Sequence, residues 1–206
     1  MATVYPFRAL RPAVDRAAAV ASVPYDVVDV GEARQLAHDN PFSFLHVSRP
    51  EIDLPRDVNV YSAEVYEKGA ENLRRLSDDC PLQTDSEPSL YLYRLKMGDH
   101  VQTGLAACCS VDEYDDNTIR KHERTRPDKE DDRTRHIMML RAQTGPVLLT
   151  YRTDRRIDLL VEGAAVQSEP LYDFVAADGI SHQIWRIAEA APLVRAFSKH
   201  TLALHR

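Results

Sequence analysis

Sixteen consecutive positions, Lys121-His-Glu-Arg-Thr-Arg-Pro-Asp-Lys-Glu-Asp-Asp-Arg-Thr-Arg-His136, hold six basic residues, five acidic residues and two histidines. That density of ionisable groups suits the binding of an anionic, phosphorylated ligand. Pro127 and the carboxylates that follow mark a helix start, because proline fits the first helical position and acidic side chains complement the positive end of the helix dipole. Lys129, Asp132, Arg133 and His136 then fall at i, i+3, i+4 and i+7 and share one face. Lys129 and Arg133, with Arg126 just upstream, would neutralise phosphate. Glu123 or Asp132 would orient a nucleophile or Mg²⁺, and His122 or His136 would move a proton.

The alternative reading of this stretch is a solvated helix laced with ion pairs, each worth only about a few tenths of a kcal/mol. Favouring a site, His122, Glu123, Thr125 and Arg126 lie just ahead of a helix N-terminus, where backbone N–H groups receive anions. A second motif, Pro24-Tyr25-Asp26-Val27-Val28, joins an aromatic hydroxyl to a carboxylate in a stiff turn and adds Tyr25 and Asp26 as ligand-binding candidates; a purely structural turn is the competing reading. His46, inside an apolar run, reads as a core histidine or a secondary candidate. His100 reads as a turn residue, and His182 with Trp185 as part of a half-buried strand. No Gly-rich phosphate loop, GxGxxG, HExxH or GxSxG pattern occurs, and no metal can be assigned.

The elements that must position these residues alternate between helix and strand without strict βαβ order, which points to an α+β fold with a largely antiparallel sheet, hairpins and packed helices. Strands are expected at Tyr5 to Leu10, Phe42 to Val47 and Pro146 to Tyr151. A strand or Pro-started loop is expected at Val23 to Val30, and a short helix from Gly31 to His38. Ala63, Tyr66, Ala70, Leu73 and Leu76 have helical spacing. Leu90 to Met97 and Val101 to Val111 flank Gly98-Asp99 as a hairpin, and Pro170 to Ala177 and Ser181 to Ile187 flank Asp178-Gly179 as another. Helices are expected from Asp128 to Ala142, from Asp154 as a cap to about Ala165, and from Ala190 to His200.

A chain of 206 residues with 44% hydrophobic residues can bury a core without staples, and a single domain over residues 1–206 is expected. Three cysteines, two of them adjacent at Cys108 and Cys109, lack metal-ligand spacing and suit a reducing compartment; packed thiols in a strand are the expectation for the pair. The N-terminus carries no secretory pattern and no apolar run is long enough to span a bilayer, so a cytoplasmic protein with no membrane partner is expected. A net charge of −6 disfavours nonspecific nucleic-acid binding while allowing a local basic pocket.

Tyr5-Pro-Phe-Arg-Ala-Leu-Arg-Pro12, Pro24-Tyr-Asp-Val-Val28, Asn40-Pro-Phe-Ser-Phe-Leu-His-Val47 and Lys121 to Arg133 together resemble the bacterial and archaeal Domain of Unknown Function 1015 family. The resemblance runs on through Gly145-Pro146-Val147 and His182-Gln-Ile-Trp-Arg186, with the charged run its most specific part. Members are sometimes called ParB-like, which implies a relation to ParB and sulfiredoxin nucleotide-binding domains. In those, a Gly-x-x-Arg or Gly-x-His-Arg motif holds nucleotide phosphate at a helix N-terminus. The resemblance also implies a longer architecture with an Asp-Gly-His-His-Arg motif beyond the region covered here. Ala203-Leu-His-Arg206 does not reproduce it, so a fragment, a truncated reading frame or a minimal version is expected.

The functional expectation is binding of a nucleotide, with Mg²⁺, or of a phosphorylated metabolite, followed by phosphoryl transfer, with ParB-like free-serine kinases as the mechanistic analogy. The alternatives are a noncatalytic nucleotide-responsive adaptor or sensor that associates as a homodimer, or an inactive fragment whose charged run is a structural network.

Overall fold

The computed structural model describes residues 2–121, 125–199 and 203–204. In chain order the strands are β1 (Val4–Tyr5), β2 (Leu10–Arg11), β3 (Gln83–Thr84), β4 (Leu90–Met97), β5 (His100–Ala106), β6 (Cys108–Cys109), β7 (Leu149–Thr150), β8 (Tyr172–Val175), β9 (Ser181–Ile187) and β10 (Ala203–Leu204). The helices are α1 (Ala17–Val20), α2 (Val30–Ala37), α3 (Leu45–Ser48), α4 (Ala63–Asp79), α5 (Val111–Asp115), α6 (Pro127–Leu140), α7 (Arg155–Gln167) and α8 (Ala191–Phe197), and Pro50–Asp53 forms a 3₁₀ turn. Strand pairs among the described residues are antiparallel, and the fold is α+β.

Two compact units divide the chain: Met1–Val14, Gln83–Arg124 and Val147–Arg206 form the first, Asp15–Leu82 and Thr125–Pro146 the second. The first is organised around a sheet of order β5-β4-β9-β8. Gly98 and Gly179, at φ of 58° and 81°, turn its two hairpins in a conformation that L side chains resist. Leu90 is fully buried and packs with Ile157 of α7 and Leu193 and Phe197 of α8. Asp154 caps α7 by accepting from the Arg156 N–H at 2.7 Å. Cys108 is exposed and Cys109 half-buried on β6, and burial pushes the Cys109 thiol up, leaving it protonated.

The second unit is helical. Its longest helix, α4, buries Val65, Tyr66, Gly69, Asn72 and Leu76 along one stripe, and Val20, Val47, Leu76, Cys80 and Leu140 form a shared core. A capping box starts α2, with Asp29 accepting from the Glu32 N–H at 2.9 Å and Glu32 accepting from the Asp29 N–H at 2.8 Å. Arg34 of α2 donates to the carbonyls of Ile52, Glu51 and Leu54 at 3.0, 3.1 and 2.7 Å, closing the end of the 3₁₀ turn.

Three expected strands differ. Phe42 to Val47 is a turn leading into α3, despite its aromatic and β-branched residues. The Asn40 carboxamide accepts from the Phe42 N–H at 3.2 Å and donates to the Ala19 carbonyl at 2.7 Å, while the Ser43 hydroxyl accepts from the Leu45 N–H at 3.3 Å. Local side-chain bonds of this kind favour turns over ladders. Tyr5 to Leu10 breaks into β1 and β2 around Pro6, which lacks an N–H, and Phe7 bridges only to Ser89. Pro146 to Tyr151 narrows to the two residues of β7. Among the described residues no helix is long and apolar enough to cross a membrane.

Candidate anion-binding site

The α6 helix begins with Pro127 at its first position and Asp128 and Glu130 in the first turn, and an Arg135 to Asp131 pair at 2.8 Å supports its exposed side. The face carrying Lys129, Asp132, Arg133 and His136 is the one expected, and each residue finds a partner within the second unit. His136, 2% exposed, donates from Nε2 to the Val47 carbonyl at 2.9 Å. Gly69 of α4 makes room for this contact, since an added Cβ would lie 3.3 Å from Pro50 Cγ and 3.5 Å from His136 Nε2. One turn earlier, the Tyr66 hydroxyl donates to Asp132 Oδ1 at 2.9 Å, and Arg133 donates from Nε and Nη2 to Asp132 Oδ2 at 3.0 and 2.7 Å. Burial, then the bond to Asp132, pushes the Tyr66 pKa up to about 12.

Two tyrosines from distant sequence complete the stripe. The Arg133 guanidinium lies 4.3 Å from the centroid of the Tyr25 ring, so the Pro24-Tyr25-Asp26 motif and the charged helix meet. Lys129 Nζ donates to the Tyr61 hydroxyl at 3.0 Å, a bond that raises the lysine pKa, and stands 5.5 Å from that ring's centroid. Asp26, beside Tyr25, is exposed. Arg126 caps no backbone group and instead donates from Nε and Nη2 to Asp128 at 3.1 and 2.7 Å on the exposed surface. His122 and Glu123 lie outside the described residues.

The arrangement offers cations to an anion and two aromatic faces that hold those cations in place. It differs from the sequence expectation at His136: burial lowers the pKa of this imidazole, and its Nε2 is committed to Val47. Among the described residues no group of three or more His, Cys, Asp or Glu side chains could hold a metal ion.

A second cluster in the same unit was not assigned from sequence beyond His46 itself. His46 Nδ1 meets both Asp53 carboxylate oxygens at 3.0 Å, its Nε2 meets the Asn40 carbonyl at 3.2 Å, and Asn72 donates to Asp53 Oδ2 and to the His46 carbonyl, each at 2.7 Å. Acceptors on both ring nitrogens suit the imidazolium, and the Asp53 bond, chiefly, raises the His46 pKa. Burial would raise the Asp53 pKa, but the His46 and Asn72 bonds outweigh it and the net direction is down. The stabilisation from His46 is therefore complete below its unfolded pKa, about 6.5, and is lost as pH rises through the higher folded value. That from Asp53 is present above about 3.9 and is lost as pH falls through its lowered value. The urea midpoint is expected to fall as pH is raised from about 6 to about 9, and this fall should disappear in His46→Gln. Identical pH profiles for the two proteins would remove His46 from this role.

In the first unit, three arginines gather at one aspartate, two at its carboxylate and one at its main-chain carbonyl. Asp85, 4% exposed, accepts from Arg11 Nε at 2.9 Å and Nη2 at 2.8 Å, and its other oxygen accepts from the Tyr91 hydroxyl. Arg186 Nε lies 3.8 Å from that second oxygen and donates to the Ser89 hydroxyl at 2.9 Å, while Arg8 Nε donates to the Asp85 carbonyl at 2.7 Å. Arg11 also reaches the Tyr172 hydroxyl at 3.4 Å. Arg8, Arg11 and Arg186 all lie in segments noted above for their resemblance, but nothing local in those segments points to Asp85.

With these sites in place, the sequence resemblance becomes a finding: the chain matches, over residues 4–203, the family described as Protein of unknown function (DUF1015), and it belongs to that family. No curated protein and no solved structure matches it.

Proposed function

We propose that the α6 stripe binds a small phosphorylated ligand, a nucleotide or a phosphorylated metabolite, and that the protein transfers a phosphoryl group. The observation that carries this reading is the placement of Lys129 and Arg133 on one helix face, each held by a tyrosine, Tyr61 and Tyr25. Phosphoryl transfer breaks the terminal P–O bond of the donor and forms one to an acceptor hydroxyl, with charge spread over the phosphoryl oxygens. Lys129, Arg133 and Arg126 would stabilise that charge, and Glu123 or His122, just ahead of the helix, would take the hydroxyl proton. Asp132, bonded to Tyr66 and Arg133, orients the guanidinium, and His136 anchors the helix to Val47 instead of exchanging protons. Tyr25 backs the Arg133 guanidinium, and Asp26, next to it in the chain, would add a contact to the ligand. Mg²⁺ would enter with the phosphorylated ligand, with Glu123 or Asp132 as the carboxylate that orients it.

A noncatalytic adaptor or sensor is favoured by one specific observation: the imidazole on the stripe is buried and committed to a carbonyl. In that reading the same cations bind a nucleotide and the ligand stabilises a homodimer. The test is a titration with ATP, ADP and phosphoserine, each with Mg²⁺, followed by melting temperature, sedimentation and phosphorus NMR of the products. Binding with turnover supports transfer. Binding with association and no turnover supports the adaptor, and no binding of any of the three overturns both.

A further inference from the structure

α4 and α6 pack side by side in the same direction. Tyr61 meets Lys129, Tyr66 meets Asp132 and Gly69 adjoins His136, so the contacts climb both helices together. Their N-termini therefore lie at one end of the pair. Ser62 ahead of α4 and Arg126 ahead of α6 make no side-chain cap bond, so neither start is closed by its own capping residue. The positive ends of two helix dipoles add to the charge of Lys129 at this end.

Lys129 is also a cation without a counter-charge. Arg126 is spent on Asp128 and Arg135 on Asp131, whereas Lys129 gives its hydrogen bond to the neutral Tyr61 hydroxyl and no carboxylate among the described residues pairs with it. Arg133 follows one turn later on the same face, within reach of the same anion.

Of the tyrosines along the stripe, Tyr66 is buried and the Tyr25 ring carries the Arg133 guanidinium. Tyr61 is different, being 41% exposed. Lys129 Nζ stands 3.0 Å from its hydroxyl oxygen and 5.5 Å from its ring centroid, which puts the ammonium beyond the hydroxyl edge and leaves the ring faces clear of it. The backbone beneath the ring is fixed, because Asn59 accepts from the Tyr61 N–H at 3.0 Å and from the Ser62 N–H at 2.8 Å. A held aromatic surface and an unmatched cation are thus in direct contact.

We propose that the ligand of the α6 stripe is a nucleotide, with its base stacked on Tyr61 and its phosphate held by Lys129 and Arg133. This rests on the reading of the stripe as a phosphate site and goes beyond it by choosing between a nucleotide and an open-chain phosphorylated metabolite. Either would satisfy the cations. Only a ligand whose phosphate is tethered to a planar aromatic group also covers the ring beside Lys129, and stacking of a base on an aromatic side chain adds affinity that an open chain lacks.

Calorimetry of the full chain with AMP, CMP, ribose 5-phosphate and phosphoserine tests this. AMP is expected to bind roughly 5- to 150-fold more tightly than ribose 5-phosphate, which has the same phosphate and sugar but no base. Tyr61→Ala should bring AMP down to the affinity of ribose 5-phosphate, and Tyr61→Phe, which keeps the ring, should preserve the difference. Proton NMR of AMP with the unsubstituted protein supplies a measurement that needs no variant: stacking on Tyr61 moves the base protons upfield. Equal affinities for AMP, CMP and ribose 5-phosphate, or a preference for AMP that survives in Tyr61→Ala, overturn the nucleotide assignment and leave the phosphate site standing. Failure of all four compounds to bind overturns the phosphate site as well.

Discussion

Asp85→Ala should lower the unfolding free energy by about 3–5 kcal/mol, the range found when one partner of a buried ion pair is removed and the other is left behind. Asp85 suits this expectation because it is almost fully buried and because Arg11, Tyr91 and Arg186 all converge on its carboxylate. Without it, Arg8, Arg11 and Arg186 share one region with no counter-charge at its centre, and the Tyr91 hydroxyl loses its acceptor. For a chain of this size each kcal/mol shifts the melting temperature by roughly 2–4 °C, so a fall on the order of 10 °C is expected. Asp85→Asn keeps the shape and one acceptor while removing the charge; a loss nearly as large in this variant would assign the effect to charge. Burial would raise the Asp85 pKa, but the Arg11 and Tyr91 bonds hold it below the ordinary carboxylate range. Its contribution is therefore present above about pH 3.9 and vanishes as pH falls through the lower folded value. Urea denaturation at neutral pH checks the magnitude, and a loss below about 1 kcal/mol would mean that solvent screens the network as it does surface pairs.

That network shows which parts of this protein its sequence conveys. Elements whose signals are local were readable: the helical spacing of α4, the Gly98 and Gly179 hairpins, Asp154 as the α7 cap, and the shared face of Lys129, Asp132, Arg133 and His136. The failure at Phe42 to Val47 has a local cause of another kind, since Asn40 and Ser43 hydrogen-bond to nearby backbone and turn a strand-forming composition into a helical turn. Asp85 was invisible because its partners come from positions 8, 11, 91 and 186, and no spacing rule joins them. The same holds for Tyr25 under Arg133. Each was a candidate in its own motif, but only the fold stacks one on the other. His136 illustrates the reverse limit: periodicity placed it on the stripe, yet periodicity cannot distinguish the solvent end of a face from the end that meets a neighbouring helix.

Arg133→Ala is expected to weaken binding of a phosphorylated ligand by roughly 10- to 150-fold, the equivalent of removing one charge-assisted hydrogen bond of about 1.5–3 kcal/mol. The same substitution should change the stability of the free protein little. The Arg133 side chain is 29% exposed, and its partner Asp132 keeps the Tyr66 hydroxyl as a donor. Alanine also gives up the stacking of the guanidinium on Tyr25, both half-buried, a contact worth about 0.5–2 kcal/mol. Arg133→Lys sharpens the comparison, because it retains the charge but loses the planar fork that reaches Asp132 and a phosphate together. If the stripe is a binding site, lysine should restore part of the affinity and alanine none, with melting temperatures of the free proteins within a few degrees. A large drop in melting temperature for both variants, with ligand affinity unchanged, would instead make Arg133 a strut between the helix and Tyr25. Lys129→Ala supplies the independent arm: it is exposed and its described polar partner is Tyr61, so a loss of affinity in parallel with Arg133→Ala would require both cations to face the same anion.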